Sequence, residues 1–382
     1  MWFISLVMKN IWRRKIRSVL TCSSMAVAVC AVISMLGTAE GYEQSFSALF
    51  EAQGADLVIV QAGVRQQVAS SLDHGLAKRF KAIPGVRDVE GTLVDLQHFD
   101  KVGIPVVYFF GVDPNSILLK EGKLLEGRKM VASDRRKMAI GSMLARNLGK
   151  KLGDKIRYFS EDFEIITIFE STNSLESNGG VIPMEEMQEL HGTPNRVTTF
   201  LVMLDKDRKK PEDIEAIRAK MESLTDAKGK SLNIAVQTTR DHVKANFETQ
   251  MLKGLAWVSS TVAMLIGFIS MLNTMMMSIT ERIREIATFR AIGWRKSRVM
   301  RMIIFEALVL SIAGAGMGLL FAIPLMEFLT RFSMTSTLVV SSLTLEIIGK
   351  GVGMGIAAGL LGAIYPAWIA AQLSPASALR YE

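Results

Sequence analysis

Apolar and polar positions change rhythm along the chain. Four stretches carry no charged residue at all: Ser18–Ala39, Gly254–Thr280, Ala307–Met326 and Gly351–Leu379. Each reaches the roughly 20 residues that a helix needs to cross a bilayer core. The pattern predicts an α-helical membrane protein with four transmembrane helices, at 18–39, 254–280, 302–326 and 347–371. Between the first two, residues 40–253 follow shorter patterns. Ala55–Gln61 is a β-branched run fit for a strand, Ser71–Ala82 has near-helical apolar spacing (Leu72, Leu76, Phe80) stopped by Pro84-Gly85, and Val86–Leu96 returns to strand character. A second such unit follows at Thr198–Leu204, Pro211–Leu224 and Ser231–Thr238. Two strand–helix–strand halves separated in sequence predict an α+β domain, a split ferredoxin-like module. Its mainly β inserted subdomain is expected at about 102–196. Ala39–Glu51 and Asp241–Lys253 have helical character and would form a two-helix stalk.

Charge sets the orientation. Residues 40–253 hold 30 basic and 31 acidic residues, a net −1, so the chain's overall +8 resides in the membrane flanks and points to no nucleic acid. Five basic residues lie in Lys9–Arg17 and seven in Glu281–Arg301, whereas Glu327–Lys350 has only Arg331 and Lys350. By the positive-inside rule the N-terminus, the 281–301 loop and the tail 372–382 are cytoplasmic, and the 40–253 domain and the short loop 327–346 lie outside. Residues 1–17 would form an amphipathic helix on the cytoplasmic face, in contact with membrane lipid. The first span is too long for a signal-peptide core, and Glu40-Gly41-Tyr42-Glu43 is a poor cleavage site.

Chemistry is sparse. Gly229-Lys230-Ser231 ends like a phosphate-binding loop, but Leu224 occupies the position of its first glycine. His74, His98, His191 and His242 lack metal-ligand spacing, and no nucleophile elbow occurs. Cys22 and Cys30 fall in the first span and read as packing residues. No catalytic, cofactor or metal residue is expected. Gly314, Gly318, Gly351 and Gly355 mark close helix approach, either within one subunit or at a dimer seam. In the 281–301 loop, Ile283, Ile286, Ala287 and Ile292 could line one side of a short amphipathic helix able to dock on a partner; an ordinary positive-inside loop is the alternative.

The run Met271-Leu272-Asn273-Thr274 through Glu281-Arg282-Ile283-Arg284-Glu285-Ile286 and Arg290-Ala291-Ile292-Gly293 resembles the FtsX-type permease signature of MacB-like ABC transporters. So does Tyr365-Pro366-Ala367-Trp368 through Leu379-Arg380. Lys9–Ser18, Gly111-Val112-Asp113 and Glu126-Gly127-Arg128 are similar in their family positions. Ala287 departs from the family's usual glycine. The resemblance implies a mechanotransmission permease of the cell inner membrane, not itself an enzyme. Its coupling helix would dock on a separate cytosolic ABC ATPase that binds the ATP, through Glu281, Arg282, Arg284, Glu285, Ile286, Arg290 and Gly293. A second permease copy would complete a homo- or heterodimer, and a periplasmic adaptor protein stays open. Export or extraction of a hydrophobic or envelope-associated substrate is the expected function, with an FtsX-like regulator of a cell-wall hydrolase or a LolC-like lipoprotein-releasing permease as alternatives.

The orientation is testable by labelling with a membrane-impermeant thiol reagent. Single cysteines near Lys150 and Lys228 should react from outside intact cells and one near Trp294 should not; the reverse pattern overturns the topology.

Overall fold

The computed structural model describes residues 15–64, 66–99, 104–171, 173–226, 228–331 and 343–373. The expected helix over residues 1–17 therefore lies almost wholly outside the described residues, as do most of the tail and the centre of the 327–346 loop. The chain forms two compact units, one of residues 1–40, 253–329 and 341–382, the other of residues 41–252 and 330–340.

Helix α1 (Lys15–Ala52) runs 38 residues, about 57 Å at 1.5 Å per residue and so far longer than a bilayer core is thick. In the outer unit it leads to β1 (Leu57–Gln61), β2 (Leu72–Asp73), α2 (Leu76–Lys81) and β3 (Val86–Phe99). The insert supplies β4 (Ile104–Val112), α3 (Ile117–Glu121), β5 (Lys123–Gly127), β6 (Lys137–Gly141), α4 (Ser142–Leu148), β7 (Lys155–Tyr158), β8 (Glu161–Glu170), α5 (Ser174–Ser177), β9 (Gly180–Pro183), α6 (Met184–Leu190) and β10 (Arg196–Val197). β11 (Thr199–Leu204), α7 (Pro211–Glu222), β12 (Ile234–Thr238) and α8 (Thr239–Ala245) complete it.

The strand order β12-β1-β11-β3 is antiparallel throughout, with α2 connecting β1 towards β3 and α7 connecting β11 to β12. That is the split ferredoxin-like module. The insert continues the same sheet, because β3 pairs with β11 over its first half and with β4 over its second. From β4 the order runs β9-β6-β8-β5, and the insert carries four short helices beside its strands. β1 is buried on both faces: Leu57 and Ile59 join Phe80, Ile217 and Met221 beneath α2 and α7, while Val58 and Val60 join Tyr42, Phe46, Phe50 and Val243 of α1 and α8. A strand covered on both faces reads as a continuous apolar run, as this one does.

Two local expectations shift. Helix α2 begins at Leu76 instead of Ser71, because the Asp73 carboxylate accepts from the Gly75 amide at 2.7 Å in an Asx turn while Leu72 pairs with Val197. The helical stretch after β12 breaks at Asn246, whose side chain accepts from the Glu248 and Thr249 amides at 2.9 and 3.3 Å and so caps the next helix.

That helix, α9 (Phe247–Thr280), opens the rest of the membrane unit, followed by α10 (Ile283–Ala291), α11 (Lys296–Arg331) and α12 (Leu345–Gln372). Among the described residues, α1, α9, α11 and α12 are the four helices long and apolar enough to cross a membrane. Helix α1 packs against α11 and α12 through glycine. A Cβ on Gly314 would lie 2.8 Å from that of Met25, and one on Gly318 would lie 2.7 Å from the Ala26 carbonyl. On Gly351 and Gly355 it would overlap Ile33 and Val29. All four glycines thus have partners inside the same chain, whereas Gly353 faces open space. Ser24 and Ser270 hydroxyls meet at 2.6 Å between α1 and α9, and the Cys22 thiol donates to the Leu310 carbonyl at 3.7 Å.

Two outcomes follow for the full chain in detergent. Gly355→Leu should lower the thermal unfolding temperature, an overpacking cost of about 1–3 kcal/mol, while Gly353→Leu leaves it unchanged; equal effects would overturn the packing. In the outer unit His242 lies edge-on to Phe50 at 5.4 Å, and burial holds its imidazole down at about 4. The unfolded chain titrates near 6.5, so the stability this site holds above that pH is lost as pH falls from about 6.5 towards 4, by about 2–3 kcal/mol. His242→Leu should remove that part of the acid destabilisation; an unchanged pH slope would refute it.

Candidate functional site

The segment between α9 and α11 is built as a helix with a buried root and an open face. α9 stops at Thr280, and the Arg282 amide donates to the Ile279 carbonyl at 2.9 Å to close the turn. The Ile286 amide then donates to the Arg282 carbonyl at 2.9 Å as α10 begins. Ile286, 2% exposed, joins the membrane-unit core with Met275, Ile279, Val299 and Met302, and the neighbouring Ala287 is fully buried.

Three acids and two arginines fix the root. The Arg282 guanidinium donates from Nη1 to Glu306 Oε2 at 3.1 Å and from Nε to Glu285 Oε2 at 3.2 Å, and Arg17 of α1 donates to Glu281. Arg282 and Glu306 are both buried. A buried pair adds little net stability, but removing one partner leaves an uncompensated charge and costs about 3–5 kcal/mol. The pair therefore behaves as a positional lock between the start of α10 and α11.

The far end of α10 closes in a Schellman motif. Gly293, at φ +97°, donates to the Arg290 carbonyl at 3.1 Å, and the Trp294 amide reaches back to the Phe289 carbonyl at 3.0 Å. Phe289 and Trp294 stack with centroids 4.7 Å apart, which supplies the apolar contact that accompanies this cap. Arg290 donates to the Trp294 carbonyl at 2.8 Å, and the Arg298 guanidinium lies 5.5 Å over the Trp294 ring.

The residues nominated from sequence separate accordingly. Ile286 and Arg282 are buried inside the membrane unit, so neither is presented at the surface of this chain. The near-period spacing of Ile286 reported the internal face of the helix. Arg290 and Gly293 build the turn. Glu281, Arg284 and Glu285 are exposed with Thr288, Ala291 and Ile292, and Ile292 is 73% exposed at the helix end. Glu306 had no partner assigned from sequence; an acid within a membrane helix is the signal that singles it out, without pointing to Arg282 as its partner.

Residues 18–224 match the MacB-like periplasmic core domain and residues 257–375 the FtsX-like permease C-terminal region. The macrolide export ATP-binding/permease protein MacB of Bdellovibrio bacteriovorus is 24% identical over 96% of this chain, which spans 60% of that protein. The lipoprotein-releasing system transmembrane protein LolC of Haemophilus influenzae is 22% identical, over 93% of this chain and 90% of its own length. The extracellular domain of the ABC-type transporter YknZ from Gram-positive bacteria superposes with a TM-score of 0.36 at 16% identity, covering 48% of this chain and 99% of that domain. With both domain matches in place on a chain of four apolar helices and an α+β outer unit, the protein belongs to the MacB-like, FtsX-type permeases, the membrane components of ABC transporters.

Proposed function

We propose that this permease couples ATP hydrolysis by a separate cytosolic ABC ATPase to movement of its outer unit, working as a dimer with a second permease copy. The termini and α10 then face the cytoplasm and residues 41–252 the outside, as the positive-inside asymmetry supports. The single observation that carries this reading is the construction of α10: an exposed stripe of Glu281, Arg284, Glu285, Thr288 and Ile292 over a root locked to α1 by Arg17 and to α11 by Glu306. A load on the exposed stripe is passed to two membrane helices instead of being absorbed by a loose loop. Residues of α1 beyond Gly41 in turn belong to the outer unit's core, with Tyr42 and Phe46 buried there. The cargo class that fits is hydrophobic or envelope-associated. Release of lipoproteins is a second reading, favoured by the LolC match over nearly the full length of both chains.

The docking role is tested by co-purification with the co-expressed cognate ATPase. Arg284→Glu combined with Ile292→Asp should lower recovery of the ATPase about thirtyfold, the loss expected for one interface hot spot near 2 kcal/mol, with permease abundance and unfolding temperature unchanged. Ile286→Asp should instead lower the unfolding temperature itself, because it buries a carboxylate. Wild-type recovery of the ATPase with the double variant would sink the docking assignment.

A further inference from the structure

The insert contains a cavity that coupling does not use. Its volume is about 510 Å³, inside the range of about 300–1,000 Å³ typical of sites that take one small molecule. Leu118 of α3, Met130 and Phe169 of β8 form its floor, each 5% exposed, and Leu124 and Val131 stand at the mouth at 41% and 47%. Apolar side chains held open at a rim over an apolar floor are an exposed patch with a destination, since soluble surfaces otherwise keep such groups scattered.

The cavity is held in shape before anything enters it. β5 lies antiparallel on β8 with Leu124 opposite Phe169. Gly127, at φ +91°, allows a backbone approach in which any Cβ would collide with the Ile166 carbonyl. The wall that follows is clamped by Arg128, which grips the Asp134 carboxylate through its two terminal guanidinium nitrogens at 2.8 and 2.5 Å, and Asp134 also accepts from the Val131 amide at 2.9 Å. The guanidinium holds the Asp134 carboxyl below its usual range, so the clamp persists in mild acid. Thr167 donates to the Arg128 carbonyl and ties the same wall to β8.

Charge identifies the occupant's other end. Residues 118–137 hold seven basic and three acidic residues, a net +4 within a segment 40–253 whose net is −1. Lys129, exposed, lines the cavity itself. An apolar floor, one lysine in the lining and room for one molecule are complementary to a negatively charged single-chain amphiphile. We propose that this cavity binds such an amphiphile, its chain over Leu118, Met130 and Phe169 and its anionic head against the Lys129 ammonium. The assignment does not depend on ATP coupling.

The test uses the full chain in phosphatidylcholine nanodiscs with two photoactivatable probes, a diazirine palmitic acid and the corresponding diazirine alcohol, with labelled peptides mapped by mass spectrometry. The acid should label peptides spanning residues 118–131 and 163–170 saturably, with labelling of the membrane helices as internal reference. Met130→Trp, which narrows the cavity at its floor, should lower outer-unit labelling about tenfold without changing the reference. Lys129→Glu, at an exposed position that leaves folding intact, should lower labelling by the acid about fivefold, the upper range for one solvent-facing ion pair, and leave the alcohol unaffected. Labelling confined to the membrane helices, or outer-unit labelling indifferent to both substitutions, would overturn the site. Equal response of acid and alcohol to Lys129→Glu would overturn the head-group assignment.

Discussion

Hydrocarbon offers a buried polar group no water to fall back on, and the architecture of the membrane unit depends on that constraint. It confines the spans to helices, whose backbone bonds close on themselves, and it makes each side-chain exception conspicuous. Ser24 and Ser270 bond to each other across α1 and α9, and the Cys22 thiol finds the Leu310 carbonyl. The buried Glu306 meets Arg282. With little hydrophobic force to drive one apolar helix against another in lipid, close contact has to come from surface shape, and Gly314, Gly318, Gly351 and Gly355 supply it by letting Met25, Ala26, Ile33 and Val29 of α1 sit almost on the neighbouring backbones. The same helix continues to Tyr42 and Phe46, so one uninterrupted element contributes to both cores.

In water the outer unit solves a different problem: how to graft a large insert onto a small module without breaking its core. The solution is the length of β3. Its 14 residues exceed the usual strand length of about five or six, and the surplus pairs with β4 after the first half has paired with β11. Hydrogen bonding therefore passes from module to insert without an unpaired edge between them. The edge problem is moved to β5, the terminal strand, which is exposed along its whole length.

Much of this was legible in the sequence because the strongest signals are periodic. Four charge-free windows gave the four long helices, and the paired strand–helix–strand patterns gave the module, with β1 recognisable from Leu57-Val58-Ile59-Val60 alone. What escaped depends on side chains finding partners far away in the chain. Leu72 fits the spacing of a helix and pairs instead as a strand, since Asp73 and Gly75 turn the chain and Val197, distant in sequence, receives it. Ile286 has the right character for a docking contact, but only the three-dimensional packing decides which face of an amphipathic helix is already occupied, and that face belongs to the chain itself. Glu306 and Arg282 could be noticed singly; their pairing across 24 residues could not. The cavity over Phe169 is likewise assembled from α3, β5, β8 and a loop, with no local motif to announce it.

The register of β1 with β12 places Leu57 opposite Thr238, and the Thr239 amide donates to the Asp56 carbonyl at 3.2 Å. The residues by which the chain enters the outer unit's sheet and those by which it leaves that sheet are therefore side by side, about 5 Å apart as in any antiparallel pair. A sheet whose two ends coincide behaves as a cassette: what lies between β1 and β12 can be exchanged, enlarged or trimmed without moving those ends apart. Diversification of such permeases then needs change only within the cassette, while the glycine-packed helices that carry it stay as they are.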